Sequence, residues 1–579
     1  MGRFNLLYEP WIEVYSNEAE KKKKISMLEL FQDAGSYRCL AGEMETQNFA
    51  VLRFLLSIVQ TVFSRFDIDG STLPGVTLDE KWRQEESVDE DDIDDYCTAA
   101  EGCWQKLYKS GRFPKIVFEY LEKWRNHFFL FDEEHPFFQV SHTEMDETMF
   151  KISNKRKPTT IYGKNLNRTI SESENKEALF SPVANCGSEK RGRKDILTEA
   201  ELARWLLTFQ GYSGLADKVS LTTEGQRPSK GWLFDLGGIC LEGKNLFETL
   251  VMNYIPYLSD NQRFIGRIQK PCWEYDGREV VNRICAESFI DNLSELYTNW
   301  GRAVWIDPGV DMSKPAEIQI VKLPEIEHCE YSIEPMTLWR KNEDGPNKGH
   351  FTPKKHRAEE ALWRSFGLMT MKTSSDGDSQ RQPGIFCQYK RLQNTAGSRW
   401  TNIIGISMED DGNSTSWLPV DEVTDSFQIN NIVMTDDDSD GWIIRINEAV
   451  NTTKDVISHI FRGYLRGICE IRNLKLSKPI DPAAEGFLTD ETARMYTTID
   501  LPFKNWLASI SPGVSKDAKI NEWYAWLRKT VLERGKELFE NSTERDLKGI
   551  KTERGTENIA TKYLQFLYRI DNRIGGNSI

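Results

Sequence analysis

At 579 residues, 39% hydrophobic and 28% charged, the chain has the composition of a globular protein with more than one domain. Its 17 Trp, 29 Phe and 19 Tyr supply ample core, and without a run of 18 apolar residues no membrane span is expected. A net charge of −15 argues against a general nucleic-acid coat, which phosphate would repel, and leaves only local basic patches for that purpose.

The opening Met1–Trp11 lacks an apolar h-region and a small-residue cleavage site, so no signal peptide is expected. Ten scattered cysteines without a Cys-x-x-Cys predict reduced thiols in a cytoplasmic protein and no zinc site. Ser26 caps a short helix to Gln32. From Glu45 to Phe66, apolar residues at Phe49, Leu52, Leu55, Leu56, Val59, Val62, Phe63 and Phe66 predict a core-facing helix. Glu85–Asp95 holds eight acids and reads as a solvated loop before helices at 99–109 and 116–124. His135, beside Glu133 and Glu134, admits a metal or acid–base reading. His-Pro followed by two Phe favours a buried turn in which the imidazole satisfies backbone groups.

Lys151–Arg168 carries six basic residues and no acid, without apolar periodicity, and reads as a loop. Phe180–Asn253 holds a basic run (Lys190, Arg191, Arg193, Lys194), an amphipathic helix at 198–209, a polar connection from Gly211 to Lys230, and a loop entering a helix at Leu241–Leu250. The long connection is either a mobile surface insertion or a functional loop, since glycine permits close backbone approach to a ligand and lysine suits phosphate. Glu317–Lys322 reads as a strand, Leu338–Lys341 as a hairpin with a basic edge, 361–371 as helix, and Trp400–Ser407 as a strand leading to a turn-rich tip at Met408–Thr415. Beyond Asp436–Asp440, helices are expected at 455–471, 490–510 (broken at Pro502), 521–539 and 557–570. The fold class is α+β: a large mixed α/β N-terminal domain over 1–440 and a C-terminal four-helix bundle over 441–579.

There is no P-loop, dinucleotide fingerprint, His-Glu-x-x-His or nucleophile elbow, and the seven histidines are dispersed. No catalytic residue, metal ligand or cofactor is assigned.

Several short stretches, in order along the chain, resemble the CasA family, the large subunit of the type I-E CRISPR surveillance complex Cascade. They are Asn5-Leu-Leu-Tyr-Glu-Pro-Trp-Ile12, Glu134-His-Pro-Phe-Phe-Gln139, Asn185-Cys186, Leu241–Leu250, Lys270-Pro-Cys-Trp273 and Glu491-Thr-Ala-Arg-Met-Tyr496. The resemblance implies a non-catalytic subunit near the 5′ handle of the guide RNA. Such a subunit reads the protospacer-adjacent motif (PAM) in double-stranded target DNA, helps to open the duplex and recruits a helicase–nuclease. Its partners are the other Cascade subunits, guide RNA, target DNA and that helicase–nuclease, with no membrane. Guide pairing reads the remaining sequence.

Three family elements carry PAM recognition from the minor-groove side: a glycine loop, a lysine finger and a glutamine wedge. By resemblance, the glycine loop falls within 211–231. There the chain has Gly211-Tyr-Ser-Gly214 and Ser229-Lys230-Gly231 in place of consecutive glycines. The finger falls at Arg340 and Lys341, and the wedge at Met408 to Asn413, with Met408 or Asn413 standing in for the glutamine. The loop with Asn185, Lys190, Arg191, Arg193 and Lys194 matches the one that meets guide handle and neighbouring subunits. The alternatives are a metal-dependent nuclease using Glu409, Asp410 and Asp411 or the acids of 436–440, and a scaffold subunit of another CRISPR effector type.

Overall fold

The computed structural model describes all residues except 1, 19–20, 153–156, 169–195, 216, 259–263, 287–288, 328–332, 373–380, 392–399, 411, 413–416, 554 and 576–579. They form two compact units, one built from most of residues 2–426, the other from 427–575 with Glu359–Met371. Among the described residues no helix is long and apolar enough to cross a membrane, and the eight cysteines are all unbridged.

In the first unit, β1 (Arg3–Asn5) leads the opening motif, whose Leu6, Leu7 and Trp11 are fully buried. Strands β2 (Ile12–Ser16), β3 (Lys22–Ile25) and β4 (Tyr37–Leu40) form an antiparallel sheet in the order β3-β2-β4. Helix α1 (Met27–Asp33) starts where Ser26 Oγ accepts from Glu29 N. Helix α2 (Glu45–Phe63) does more than turn one stripe inward: even Gln47, Arg53 and Gln60 are buried, so it runs through the core. Helix α3 (Ile93–Ser110) starts inside the acidic run, where Asp94 and Asp95 sit favourably against the helix N-terminus. Helix α4 (Lys115–Lys123) leads towards β5 (Phe129–Phe131), which pairs with β1. Here Phe54 of α2 meets Phe137, Phe138 and Trp273 edge-on at 5.3, 5.8 and 5.7 Å, so two of the family-like stretches are core packing.

The remaining strands of this unit are β6 (Thr159–Ile161), β7 (Gly238–Glu242), β8 (Arg302–Ile306), β9 (Ile318–Lys322), β10 (Trp339–Lys341), β11 (Phe351–Pro353), β12 (Trp400–Asp410) and β13, which begins at Pro419. They pair as β6-β9-β8, β10-β11 and β13-β12-β7. Helix α5 (Glu199–Gly211) opens with a Thr198/Glu201 capping box. Short α6 (Trp232–Leu236) precedes β7, and α7 (Leu246–Asn253) is capped by Asn245.

The second unit is predominantly helical. Helix α8 (Trp442–Asp455) runs through a π turn, Val456–Phe461, into α9 (Arg462–Ile471). Three further long helices follow, α10 (Pro482–Ala508), α11 (Lys516–Glu540) and α12 (Ile559–Ile574). Helix α10 starts earlier than its apolar pattern implies, because Asp481 caps it and Pro482 suits the first turn. It also continues through Pro502 rather than breaking, held by buried Ile499, Phe503, Trp506 and Leu507. The unit includes Glu359–Met371, a stretch the sequence assigns to the N-terminal part: Trp363 stacks on Phe503 at 4.1 Å and its Nε1 donates to Asp500 at 2.9 Å. Within the Glu491–Tyr496 stretch, Glu491 accepts two hydrogen bonds from Arg534 Nη2, each 2.7 Å, tying α10 to α11. Asp436 and Asp440 pair with Lys516 and Arg445, both at 2.7 Å.

Buried guanidiniums organise the first unit. Arg53 forks onto Glu334 with two 2.8 Å bonds, and Trp232 Nε1 donates to the same carboxylate at 2.7 Å. Arg65 donates to Glu274 at 2.6 and 2.9 Å and to the carbonyls of Trp82 and Gln269, while Tyr120 Oη donates to Glu274 at 2.6 Å. Arg204 reaches Glu43 and the Trp11 carbonyl. Arg302, with no side-chain exposure, holds the segment after α5. It donates to Ser229 O at 2.7 Å, Gly301 O at 2.8 Å, Gly214 O, and Asp217 Oδ1 at 3.0 Å. Leu221 N and Ser229 N also donate to the Lys322 and Leu323 carbonyls, both at 2.8 Å. The segment is therefore bound along β9 and is not a loose insertion.

Arg302→Met is expected to destabilise the protein by about 3–5 kcal/mol, because Asp217 and three carbonyls lose a buried donor set. Urea unfolding checks this, and an unchanged midpoint would show that the guanidinium does not hold the segment. A second prediction comes from the His-Pro turn. The His135 ring stacks on His127 at 4.3 Å, and its Nδ1 is buried without a hydrogen-bond partner, so it does not cap backbone groups as the sequence implies. Burial, with His135 and Lys81 beside it, pushes the His127 imidazole down to about 4. From pH 6.5 to about 4 the unfolded chain takes up a proton that the folded chain refuses, so stability is full above pH 6.5 and falls on acidification. His127→Gln should remove roughly 1–2 kcal/mol of that fall, allowing for solvent at the rim. Urea midpoints at pH 7 and 5 read it, and parallel pH profiles for the two proteins would refute it.

Candidate nucleic-acid interface

The segment expected to hold a glycine loop leaves α5 and returns to its own start. Gly214 N donates to Lys230 O at 2.9 Å, closing 214–230 into a loop. At the crossing, Gly231 has φ +96°, and a Cβ there would lie 2.4 Å from Gly211 O. Glycine serves here to let two stretches of backbone cross. Gly211, Gly214, Ser229 and Gly231 are buried, and of the five expected contact residues in this segment only Lys230 reaches solvent.

Lys230 faces two ways. Its Nζ is 2.8 Å from Asp235 Oδ1 and 4.8 Å from the ring centroid of Trp417. Trp417 precedes β13, is 36% exposed, and has left-handed backbone with φ +45°. Its carbonyl packs on Gly214, where a Cβ would lie 2.7 Å away, so Gly214 (φ +66°) admits the strand pair. Beside them, Lys355 Nζ lies 4.2 Å from the Phe234 ring centroid. Burial pushes the Lys355 ammonium down to about 8, opposed by Asp235 and Asp410.

The basic hairpin joins the same neighbourhood. Arg340 and Lys341 lie exposed on β10, paired with Thr352 and Phe351. The chain leaving β11 runs to β12, where Ser407 Oγ donates to His356 O at 2.6 Å, and Thr337 Oγ1 donates to Leu236 O at 3.2 Å. The segment 211–231, the hairpin exit and the β12–β13 end therefore come together around α6.

Met408 is a correction. Strand β12 extends through Asp410, and Met408 is fully buried within it, so it has no exposed bulk to insert between bases. The apolar alternation of the strand continues past Ser407, which the turn-rich residues after it obscure. Asn413, and Asn185, Lys190, Arg191, Arg193 and Lys194, lie outside the described residues. Sequence reasoning missed Trp417, Lys355 and Arg302. For Trp417 a signal existed: a tryptophan directly after an acidic, turn-forming tip.

Of the carboxylates proposed for a nuclease, Asp411 lies outside the described residues, and Glu409 and Asp410 are engaged by backbone amides. Glu409 accepts from Ala358 N at 3.2 Å and Asp410 from Gly412 N at 2.8 Å. Among the described residues no three His, Cys, Asp or Glu side chains are placed to share a metal ion. What the arrangement offers is cations beside an exposed aromatic ring on a hydrogen-bonded base.

Comparison with known proteins agrees with this architecture. The model of the family described as CRISPR-associated protein Cse1 matches residues 5–534. The CRISPR-associated protein CasA/Cse1 of Thermus thermophilus is 25% identical over 278 residues, 47% of this chain and 42% of that relative, so the match spans under half the relative's length. The crystal structure of Thermobifida fusca Cse1 has a TM-score of 0.70 at 21% identity, covering 99% of this chain and 98% of that one. A chain of a CRISPR RNA-guided surveillance complex has a TM-score of 0.66 at 14% identity, covering 98% and 100%. These structural likenesses extend over nearly the whole fold, and with the family match running from residue 5 to residue 534, the chain belongs to the CRISPR-associated Cse1 family, also called CasA.

Proposed function

We propose that this chain is the non-catalytic large subunit of a Cascade surveillance complex. In that role it reads the PAM in duplex DNA, helps to open the adjoining base pairs and recruits the helicase–nuclease. The observation that carries the reading is the meeting of Lys230, from the closed 214–230 loop, with Trp417 at the start of β13. The minor groove is narrow and offers few distinguishing hydrogen-bond positions, so a cation and a bulky wedge on rigid backbone suit it. The similarity to a chain of a CRISPR RNA-guided surveillance complex supports the assembly. On a chain of net charge −15, DNA contact rests on such local cations, with guide RNA and the other subunits completing the site.

The test is binding of a guide-loaded Cascade core to duplex targets across a PAM library, with and without this protein. The protein should confer PAM-selective binding, and unchanged binding would reject the reading. Arg340→Ala and Lys341→Ala should weaken duplex binding while leaving assembly with the guide-loaded core intact. Each lost phosphate contact should lower the slope of log affinity against log salt by about 0.9. Equal loss of assembly and duplex binding would make the hairpin structural.

A further inference from the structure

The geometry points to Trp417 as a stacking platform for one unpaired nucleobase, with Lys230 beside it to take the flanking phosphate. The inference rests on the duplex-opening role above. It adds a contact of a different kind from the amide wedge implied by family resemblance, because stacking reads a π-face and not a base edge.

Three observations converge on it. The first is exposure with anchorage. Trp417 keeps 36% of its surface in solvent, yet its backbone is held: its carbonyl lies against Gly214, where no Cβ fits, and Arg302 fixes the Gly214 carbonyl from inside. A ring on a held backbone presents a face at small ordering cost. The second is strain. A tryptophan at φ +45° occupies a region that bulky side chains rarely adopt. The third is charge. Lys230 Nζ stands 4.8 Å from the ring centroid while paired with Asp235 at 2.8 Å. A base arriving on the indole displaces only the cation–π contact of half-buried Lys230. Lys230 can then exchange Asp235 for a phosphate of the same nucleotide or its neighbour. An aromatic face with a cation at its side is the elementary unit by which proteins hold single strands. Because every base has a π-face, the contact holds an opened strand without choosing the PAM.

The experiment uses the full guide-loaded complex carrying wild-type protein, Trp417→Ala, Trp417→Leu or Trp417→Phe. The DNA targets bear one PAM and either a paired protospacer or a mismatched bubble beside the PAM. The Ala and Leu variants should each lose about tenfold or more in affinity on both targets, Phe should retain most of it, and the ranking of PAM sequences should not change. An abasic scan of the PAM-adjacent nucleotides should find one position where the wild type loses affinity and Trp417→Leu loses nothing further. The proposal is overturned if Leu matches wild type, if Phe is as weak as Leu, if the bubble abolishes the defect, or if no abasic position equalises the two proteins. Loss of PAM selectivity in the wild-type complex itself would instead defeat the underlying functional reading. Should Trp417→Ala fail to assemble, Trp417→Leu, which keeps apolar bulk without a π-face, gives the same comparison.

Discussion

A guanidinium with no exposure to water cannot be left without partners, and that constraint on Arg302 shapes the middle of the chain. Its Nη1 and Nη2 donors are met by the Gly214, Ser229 and Gly301 carbonyls and by Asp217. Satisfying one buried charge thus draws together the two ends of a polar segment and the start of β8. Burial pulls the pKa of the guanidinium down and Asp217 opposes that pull, which is why an acid stands inside the loop. Lys230 and the strand pair that presents Trp417 rest on this base.

The same device recurs through the first unit. Arg53 with Glu334, Arg65 with Glu274 and Arg204 with Glu43 each join elements far apart in sequence. Such pairs add less stability than apolar packing of equal volume, but losing one partner is costly, so they penalise wrong arrangements. A surface built on them is rigid, and rigidity is what a protein needs if it is to read the narrow groove of DNA or hold an opened strand. Within the acidic clusters of the sequence, Asp410 accepts from the Gly412 amide and Asp436 pairs with Lys516.

Sequence by itself determined a good deal. Where local physics dominates, the reading and the structure coincide for the core helix from Glu45, the Ser26 cap, the helix after Thr198, strand Glu317–Lys322, the Trp339–Lys341 hairpin and the helical C-terminal region. The ordered family-like stretches sufficed to identify the family, since they encode core contacts such as Trp273 against Phe54 and Glu491 with Arg534. Tertiary structure alone decided the rest. It carried α10 through Pro502 and buried Met408, because packing outweighs one missing hydrogen bond and continues a strand past turn-prone residues. It set the glycines of 211–231 at a backbone crossing and placed Trp417 over Lys230 across 187 residues of chain. Those outcomes depend on which distant groups share a buried charge or a close approach, and periodicity and propensity carry no record of such pairings.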